Sequence, residues 1–276
     1  MGRPSSNQRD IKQRKMKKLY VIKIGGNIID DEAKLSSFLK SVASINSYKI
    51  VVHGGGKLAT KLADSLGIQQ QMIDGRRITD AETLKVVTMV YAGYVNKNIV
   101  AQLQALDCNA IGLTGADNNM IEAHKRNHAH IDYGFVGDID AVDAKGINHF
   151  LELGLTPIIA PITHDKKGQL LNTNADTIAQ EIAKAMSKDF EVQLIYSFEK
   201  SGVLLDAEDD KTVIPTLNKH YYSELKADKK IFAGMIPKID NAFAALESGV
   251  RKVIIGKAEN LDKIIAGESG TAIIHE

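Results

Sequence analysis

Leu19-Tyr20-Val21-Ile22-Lys23-Ile24-Gly25-Gly26 decides the fold, together with its echo Ile50-Val51-Val52-His53-Gly54-Gly55-Gly56. Each is an apolar, β-branched run that stops at glycines, the composition of a buried strand ending in a tight loop. After the first run, Leu35, Phe38, Leu39 and Val42 recur at helical spacing. After the second, Leu58, Leu62 and Leu66 do so at once. The same alternation continues outward. Strands are predicted over 110–113, 157–162, 192–195, 253–255 and 271–274, and helices over 145–153, 175–187 and 237–248. Thr79-Asp80-Ala81-Glu82 has the capping-box pattern and opens a long helix over 80–106, with Leu84, Val87, Tyr91, Val95 and Ile99 on its apolar side. Its richness in Val, Tyr and Met suits core or a dimer interface. Strands and helices in alternation predict an α/β fold, a mostly parallel sheet with helices on both faces. The stretch 117–140 breaks the rhythm. It is polar and holds His124, His128 and His130, with Gly134 and Gly137, and reads as a hairpin or excursion able to cover a ligand.

Composition excludes several classes. The chain has 276 residues, 44% hydrophobic and 25% charged, as in ordinary globular proteins. One cysteine, Cys108, rules out an internal disulfide framework and fits a reducing, cytoplasmic compartment. No apolar run approaches the roughly 18 residues of a membrane span, so no membrane role is expected. The net charge of +1 hides an asymmetry. Residues 1–18 carry Arg3, Arg9, Lys12, Arg14, Lys15, Lys17 and Lys18 against Asp10, a net of +6, so the remainder is acidic by 5. Residues 1–16 read as a basic tail, and the acidic body argues against nucleic-acid binding.

Glycines at strand ends let backbone N–H groups approach a ligand, and the helix after Gly54–Gly56 turns its positive end toward it. Both features favour phosphate or carboxylate. Gly54-Gly55-Gly56-Lys57-Leu58-Ala59 formally matches the dinucleotide pattern, with Asp74 about 20 residues on, but no buried strand precedes Asp74. No Walker loop is present, since Gly56-Lys57 and Gly256-Lys257 lack the following Ser or Thr. Lys23 ends an apolar strand, where its charge is costly unless it meets an anion or snorkels from the strand end. In Asn172-Thr173-Asn174-Ala175-Asp176, capping explains Asn174 and Asp176 but leaves Asn172 over. In Ala233-Gly234-Met235-Ile236-Pro237-Lys238, Pro237 suits a helix start, whereas Lys238 is electrostatically misplaced there unless phosphate binds or water solvates it.

Taken together, Lys23–Gly26, His53–Gly56, Gly75-Arg76-Arg77-Ile78-Thr79, Ile111-Gly112-Leu113-Thr114-Gly115-Ala116-Asp117, Asn172–Asp176 and Gly234–Lys238 resemble, in the same order, the motifs of acetylglutamate kinases of the amino acid kinase superfamily. The resemblance covers residues 17–276. It implies a three-layer αβα sandwich with two lobes in one chain. Residues 17–170 would bind the acyl-amino acid and 171–276 would bind ATP. The implied reaction moves the γ-phosphoryl group of MgATP to the side-chain carboxylate of N-acetyl-L-glutamate, in arginine biosynthesis. The implied catalytic residues are Lys23 and Lys238, which neutralise the migrating group, and Asp176, which positions them. Lys23, Gly25, Gly26, Gly55, Ser197, Glu199, Gly202, Gly234 and Lys238 fall in the ATP region. Gly54, Gly55, Gly56, Arg77, Asn172 and Asn174 fall in the substrate region. Mg²⁺ would arrive on the nucleotide, with no protein-held metal, and the partners would be small molecules and a second copy in a homodimer.

Chemistry agrees with these roles. A glutamate side chain is already ionised at neutral pH, so the nucleophile needs no general base and no catalytic histidine. Bringing two anions together is the difficulty, and positioned cations answer it. The chain departs from the family where Phe198-Glu199-Lys200-Ser201-Gly202 replaces an Asp-Val-x-Gly stretch, and at Ala116 and Asn118. Some relatives use N-succinyl intermediates, so N-succinyl-L-glutamate stands as a second acceptor. A superfamily kinase acting on carbamate, aspartate or a nucleoside monophosphate also fits the motifs in part. So do a non-catalytic arginine sensor that keeps the fold and, on the glycine match alone, an NAD-dependent oxidoreductase.

Overall fold

The computed structural model describes residues 16–73, 76–206, 208–231 and 235–275, without the side chains of Arg76 and Pro237. Residues 1–15 of the expected tail, Asp74 and Gly234 lie outside the described residues.

Strand β1 (Lys17–Ile24) stops at Gly25 and leads into helices α1 (Gly26–Ile29) and α2 (Glu32–Ser44). Strand β2 (Tyr48–His53) stops at Gly54, and α3 (Gly56–Ser65) follows. A small ribbon, β3 (Met72–Ile73) and β4 (Arg76–Arg77), precedes α4 (Ala81–Thr88). A π-helical segment (Met89–Val95) joins α4 to α5 (Asn96–Gln104). Then come β5 (Ala110–Leu113), β6 (Ile121–Lys125), β7 (Gly137–Val142), α6 (Ala144–Glu152), β8 (Thr156–Ile159), β9 (Ile162–His164) and β10 (Leu170–Asn172). The chain continues through α7 (Ala175–Met186), β11 (Phe190–Phe198), β12 (Thr216–Leu217), α8 (Lys219–Ala227), α9 (Ile236–Glu247), β13 (Lys252–Lys257), α10 (Leu261–Ala266) and β14 (Thr271–Ile273).

Eight strands form the main sheet in the order β12-β14-β13-β11-β1-β2-β8-β5. Every neighbouring pair is parallel except β13–β14. Alternation along β1 sorts its side chains into two cores. Leu19 and Val21 pack with Ile178, Ile182 and Ile239 of α7 and α9, while Tyr20, Ile22 and Ile24 pack with Phe38 and Leu39 of α2. Lys23 belongs to the α7 face by the same alternation. The expected α/β architecture, a mostly parallel sheet covered on both faces, is therefore present.

Three local expectations need correction. The strand expected over 157–162 is two strands on two sheets, because β8 ends at Ile159 and β9 begins at Ile162. Pro161 between them has no N–H to give a ladder. The departing chain builds a four-stranded sheet, β10-β9-β6-β7, and β6–β7 is the antiparallel hairpin of the 117–140 excursion. The cap of α4 is Asp80, which accepts from Thr83 N at 2.7 Å, and not Thr79. Thr79 is fully buried, and its hydroxyl donates to the Arg77 carbonyl at 3.1 Å and accepts from the Asn172 amide at 3.0 Å, which engages it away from the helix start. The helix expected over 80–106 is interrupted by the π segment, where an extra residue per turn resets the phase of the buried face.

Gly134 and Gly154 both have left-handed backbones, at φ +69° and +75°. A Cβ on Gly134 would run into the Thr79 carbonyl, whereas one on Gly154 would meet open space. Gly154→Ala should cost about 1 kcal/mol from backbone strain alone, and Gly134→Ala about 3 kcal/mol or more. Urea unfolding of the two variants checks the difference, and equal losses would contradict it.

Candidate active site

The carboxyl ends of β1 and β2 and the amino ends of α7 and α9 carry the charged and glycine-rich residues of the expected site. The crevice beyond strand ends is where open α/β sheets hold ligands. Lys23, penultimate in β1, meets Asp176 in the first turn of α7, with Nζ 2.8 Å from Oδ1. Asn174 fixes that turn. Its side-chain oxygen accepts from Asp176 N at 2.8 Å and Thr177 N at 3.2 Å, so the expected cap is present. The Tyr196 hydroxyl donates to the Asp176 carbonyl at 3.5 Å, and burial pushes that phenol well above its ordinary range.

Lys238 enters from the first turn of α9, its Nζ 4.7 Å from the centre of the Phe198 ring. Burial lowers its pKa, Asp176 and Glu199 pull it back up, and nearby Lys23 lowers it further. The structure thus brings Lys23, Asp176 and Lys238 into one electrostatic cluster. Gly25 packs against β11, its N–H donating to the Ser197 carbonyl at 3.0 Å. A Cβ on Gly26, which opens α1, would meet open space. Ser197 is fully buried and its hydroxyl has no partner among the described residues. Gly202 is buried against β14, where a Cβ would lie 2.6 Å from the Thr271 hydroxyl, and this close approach accounts for the glycine. Glu199 is exposed.

Beside the cluster lies a cleft of about 190 Å³ walled by Gly54, Gly55, Gly56, Arg77, Asn172 and Asn174. All six residues of the expected substrate region share this wall. Arg77 is 8% exposed and bridges the loop to its surroundings. It donates to the Gly56 carbonyl at 3.0 Å, to the Thr60 hydroxyl at 2.9 Å and to the Gln70 side-chain carbonyl. Asn172, which capping left unexplained, donates to the Thr79 hydroxyl at 3.0 Å while facing the cleft.

Two further cleft residues escaped the sequence reading. Tyr91, expected in the core, backs the loop so closely that a Cβ on Gly55 would lie 3.0 Å from its ring, and Gly55 itself sits at φ +149°. Burial raises the Tyr91 phenol, opposed by the positive charge of the nearby Arg77 guanidinium. Arg126 follows β6, pairs with Asp138 through Nε at 3.0 Å and through Nη2, and lies 5.5 Å from the Tyr133 ring. Its only sequence signal was a basic residue inside the polar excursion, where the histidines drew notice instead. Of these, His124 pairs with Asp140 at 2.7 Å. The result is a cleft walled by glycine backbone, asparagine amides and guanidinium, opening beside the Lys23–Asp176 pair and within the field of Lys238. Such a place suits two anions at once.

Residues 18–257 match the Amino acid kinase family. An acetylglutamate kinase of Cytophaga hutchinsonii is 57% identical over 251 residues, 91% of this chain and 95% of that protein. Another, of Parabacteroides distasonis, is 54% identical over 246 residues, 89% of this chain and 96% of that one. Among solved structures, N-acetylglutamate synthase from Neisseria gonorrhoeae complexed with coenzyme A and N-acetyl-glutamate matches with TM-score 0.79 at 20% identity. The match covers 96% of this chain and 61% of that one, a likeness of fold.

Lys238 offers a test of the electrostatics without substrate. Its proton is held less tightly in the folded chain than in the unfolded one, so burying the charge opposes folding. Lys238→Met should leave the thermal midpoint at neutral pH unchanged or raised. As pH rises from the lowered folded pKa toward the ordinary 10.5, the folded chain sheds the proton first and the wild type gains stability that the variant does not. Thermal melts across that window check both signs, and a variant that melts earlier at neutral pH would contradict them.

Proposed function

The chain belongs to the amino acid kinase family, and on that premise we propose that it transfers the γ-phosphoryl group of ATP to the side-chain carboxylate of N-acetyl-L-glutamate. The activity is that of an acetylglutamate kinase and serves arginine biosynthesis. The observation that carries the reading is the cluster of Lys23, Asp176 and Lys238 beside a cleft walled by glycines and Arg77. A carboxylate oxygen of the acceptor attacks the γ-phosphorus, the bond to the β–γ bridging oxygen breaks, and ADP leaves. No proton moves, because the acceptor is already ionised. Work therefore falls on alignment and on cancelling charge as the phosphoryl group crosses.

In this reading Lys23 and Lys238 touch the phosphoryl oxygens, and Asp176 positions them, pairing with Lys23 and attracting Lys238. Backbone N–H groups of Gly26 and Gly55 face the phosphates, while Gly25, whose own N–H is given to the Ser197 carbonyl, and Gly234 belong to the ATP region. Ser197, Glu199 and Gly202 mark the region of the nucleotide's remaining parts. Arg77 takes the α-carboxylate, and Asn172 and Asn174 hold the amino acid portion with Gly54 and Gly56. Residues 17–170 carry most of the acyl-amino acid site and 171–276 most of the nucleotide site, with the phosphate loops and Asn172–Asn174 where the two meet. Among the described residues no group of three His, Cys, Asp or Glu side chains stands where it could hold a metal, and Asp176 is engaged by Lys23. A Mg²⁺ carried in on the nucleotide's phosphates would supply further charge neutralisation there.

A homodimer is supported by Met89 and Tyr94, which stand 56% and 65% exposed on the long helical rod. No helix among the described residues is long and apolar enough to cross a membrane, and the buried free Cys108 suits a cytoplasmic enzyme.

A second reading, N-succinyl-L-glutamate as the acceptor, is favoured by Arg126. An acetyl group is neutral, yet the cleft carries this guanidinium in addition to Arg77. A terminal carboxylate on the acyl group would give it an anionic partner beyond Asp138.

Coupled ADP release with both acceptors decides between them. Turnover with neither would overturn the kinase reading. Lys238→Ala should lower kcat by about a hundredfold or more while KM changes little, since its contact forms in the transition state. A large rise in KM with kcat unchanged would contradict that role. Arg126→Met should cut kcat/KM for the succinyl acceptor by about tenfold or more and spare the acetyl one if the second reading holds. Equal effects on both acceptors would remove its support.

A further inference from the structure

His53 is fully buried at the end of β2, directly before the glycine loop, and the chemistry above leaves it without a task. Its surroundings fix its protonation from one end of a hydrogen-bond chain to the other. Lys97 Nζ can only donate, and it does so to the Gly112 carbonyl at 2.9 Å and to Asn96 Oδ1 at 3.1 Å. Asn96 is 1% exposed, so its amide nitrogen must spend both hydrogens inside the protein. One goes to the Ile158 carbonyl at 2.9 Å and the other to His53 Nε2 at 3.0 Å. Nε2 is therefore an acceptor and carries no hydrogen. The ring's hydrogen sits on Nδ1, which donates to the Gly54 carbonyl at 2.8 Å. Burial keeps the ring neutral, with its pKa pushed down to about 4.

The Gly54 carbonyl shares a peptide plane with the N–H of Gly55, and in a trans peptide the two point in opposite directions. Gripping the carbonyl from the core side aims that N–H the other way, toward the cleft that Gly54–Gly56 wall. Glycines have little stiffness of their own, so an external clamp is needed to hold the plane. The π-helical segment supplies the rest of that clamp. Tyr91 and Val95 press on Gly55, where a Cβ would lie 3.0 and 3.3 Å from them, and Asn96 follows at once with its amide on the imidazole. Gly112 clears space for the same amide, because a Cβ there would collide with Asn96 Oδ1.

We propose that His53, held as the neutral Nδ1–H tautomer by Asn96 and Lys97, is a positioning residue that aims the Gly55 N–H at the transferring phosphoryl group. It touches neither substrate and exchanges no proton. The proposal rests on the kinase reading, so wild-type turnover is measured first, and its absence would overturn that reading and not this one.

Nitrogen-15 NMR of histidine-labelled wild-type enzyme tests the tautomer without any variant. The expected signature is a protonated Nδ1 and a bare Nε2 for His53, unchanged from about pH 5.5 to about pH 9. A protonated Nε2, or titration within that range, would overturn the proposal. The kinetic arm compares His53→Leu with His53→Asn, whose amide nitrogen occupies the Nδ1 position and keeps the donor. His53→Leu should lose about thirtyfold or more in kcat with KM values within about threefold, and His53→Asn should recover at least about tenfold of that loss. Equal losses in the two variants, or a loss confined to KM, would overturn it. If His53→Leu fails to fold, the tautomer measurement and the His53→Asn rate decide, and near-wild-type kcat in the latter is the expected result.

Discussion

Like charges held close together are the constraint on which the site depends. Lys23 and Lys238 approach each other before any phosphate arrives, and Asp176 makes that tolerable by pairing with Lys23 at 2.8 Å. Bringing a dianionic acceptor to a polyanionic nucleotide is opposed by Coulomb repulsion, and preset cations cancel it without reorganisation during the reaction. The cost appears in the folded protein itself, where the lowered pKa of Lys238 records an unfavourably buried charge. On the proposed role of Lys238, stability yields to function at that residue.

The fold supplies what this arrangement needs. A parallel sheet sends the carboxyl ends of β1 and β2 in the same direction, so Lys23 and the Gly54–Gly56 loop reach one crevice. The capped start of α7 brings Asp176 and the start of α9 brings Lys238 to the same place. Behind the loop, buried contacts replace the rigidity that glycines lack. Arg77 ties the Gly56 carbonyl, His53 ties that of Gly54, and Tyr91 backs Gly55. Flexible backbone faces the cleft and stiff side chains face the core.

Much of this was legible in the sequence, and for physical reasons. Strand–glycine–helix order reads directly from hydrophobic period and from glycine's place at strand ends, so β1, β2 and their loops could be placed. Lys23 stood out because a lysine in an apolar strand demands a partner, and Asn172 because capping did not use it. Other features depend on contacts between distant segments. The break at Pro161 sends one apolar run onto two sheets, which periodicity over 157–162 cannot reveal. Thr79 has the sequence of a cap, but hydrogen bonds with the Arg77 carbonyl and the Asn172 amide bury it instead. The π segment leaves no mark in a pattern already rich in Val, Tyr and Met, and Arg126 reaches the cleft only through the pairing of β6 with β7. The chain's near-neutral total was similarly uninformative, since the cations that matter are local.

The central claim is that Asp176 organises cations and does not take a proton. The pH dependence of kcat in wild type and Asp176→Asn, between about pH 6 and about pH 8.5, tests it most directly. The expected result is a flat profile in both enzymes, with the variant slower by about a hundredfold across the range because its lysines are no longer held. An acidic limb in the wild type, with kcat falling as pH falls, that vanishes in the variant would make Asp176 a general base and contradict the account.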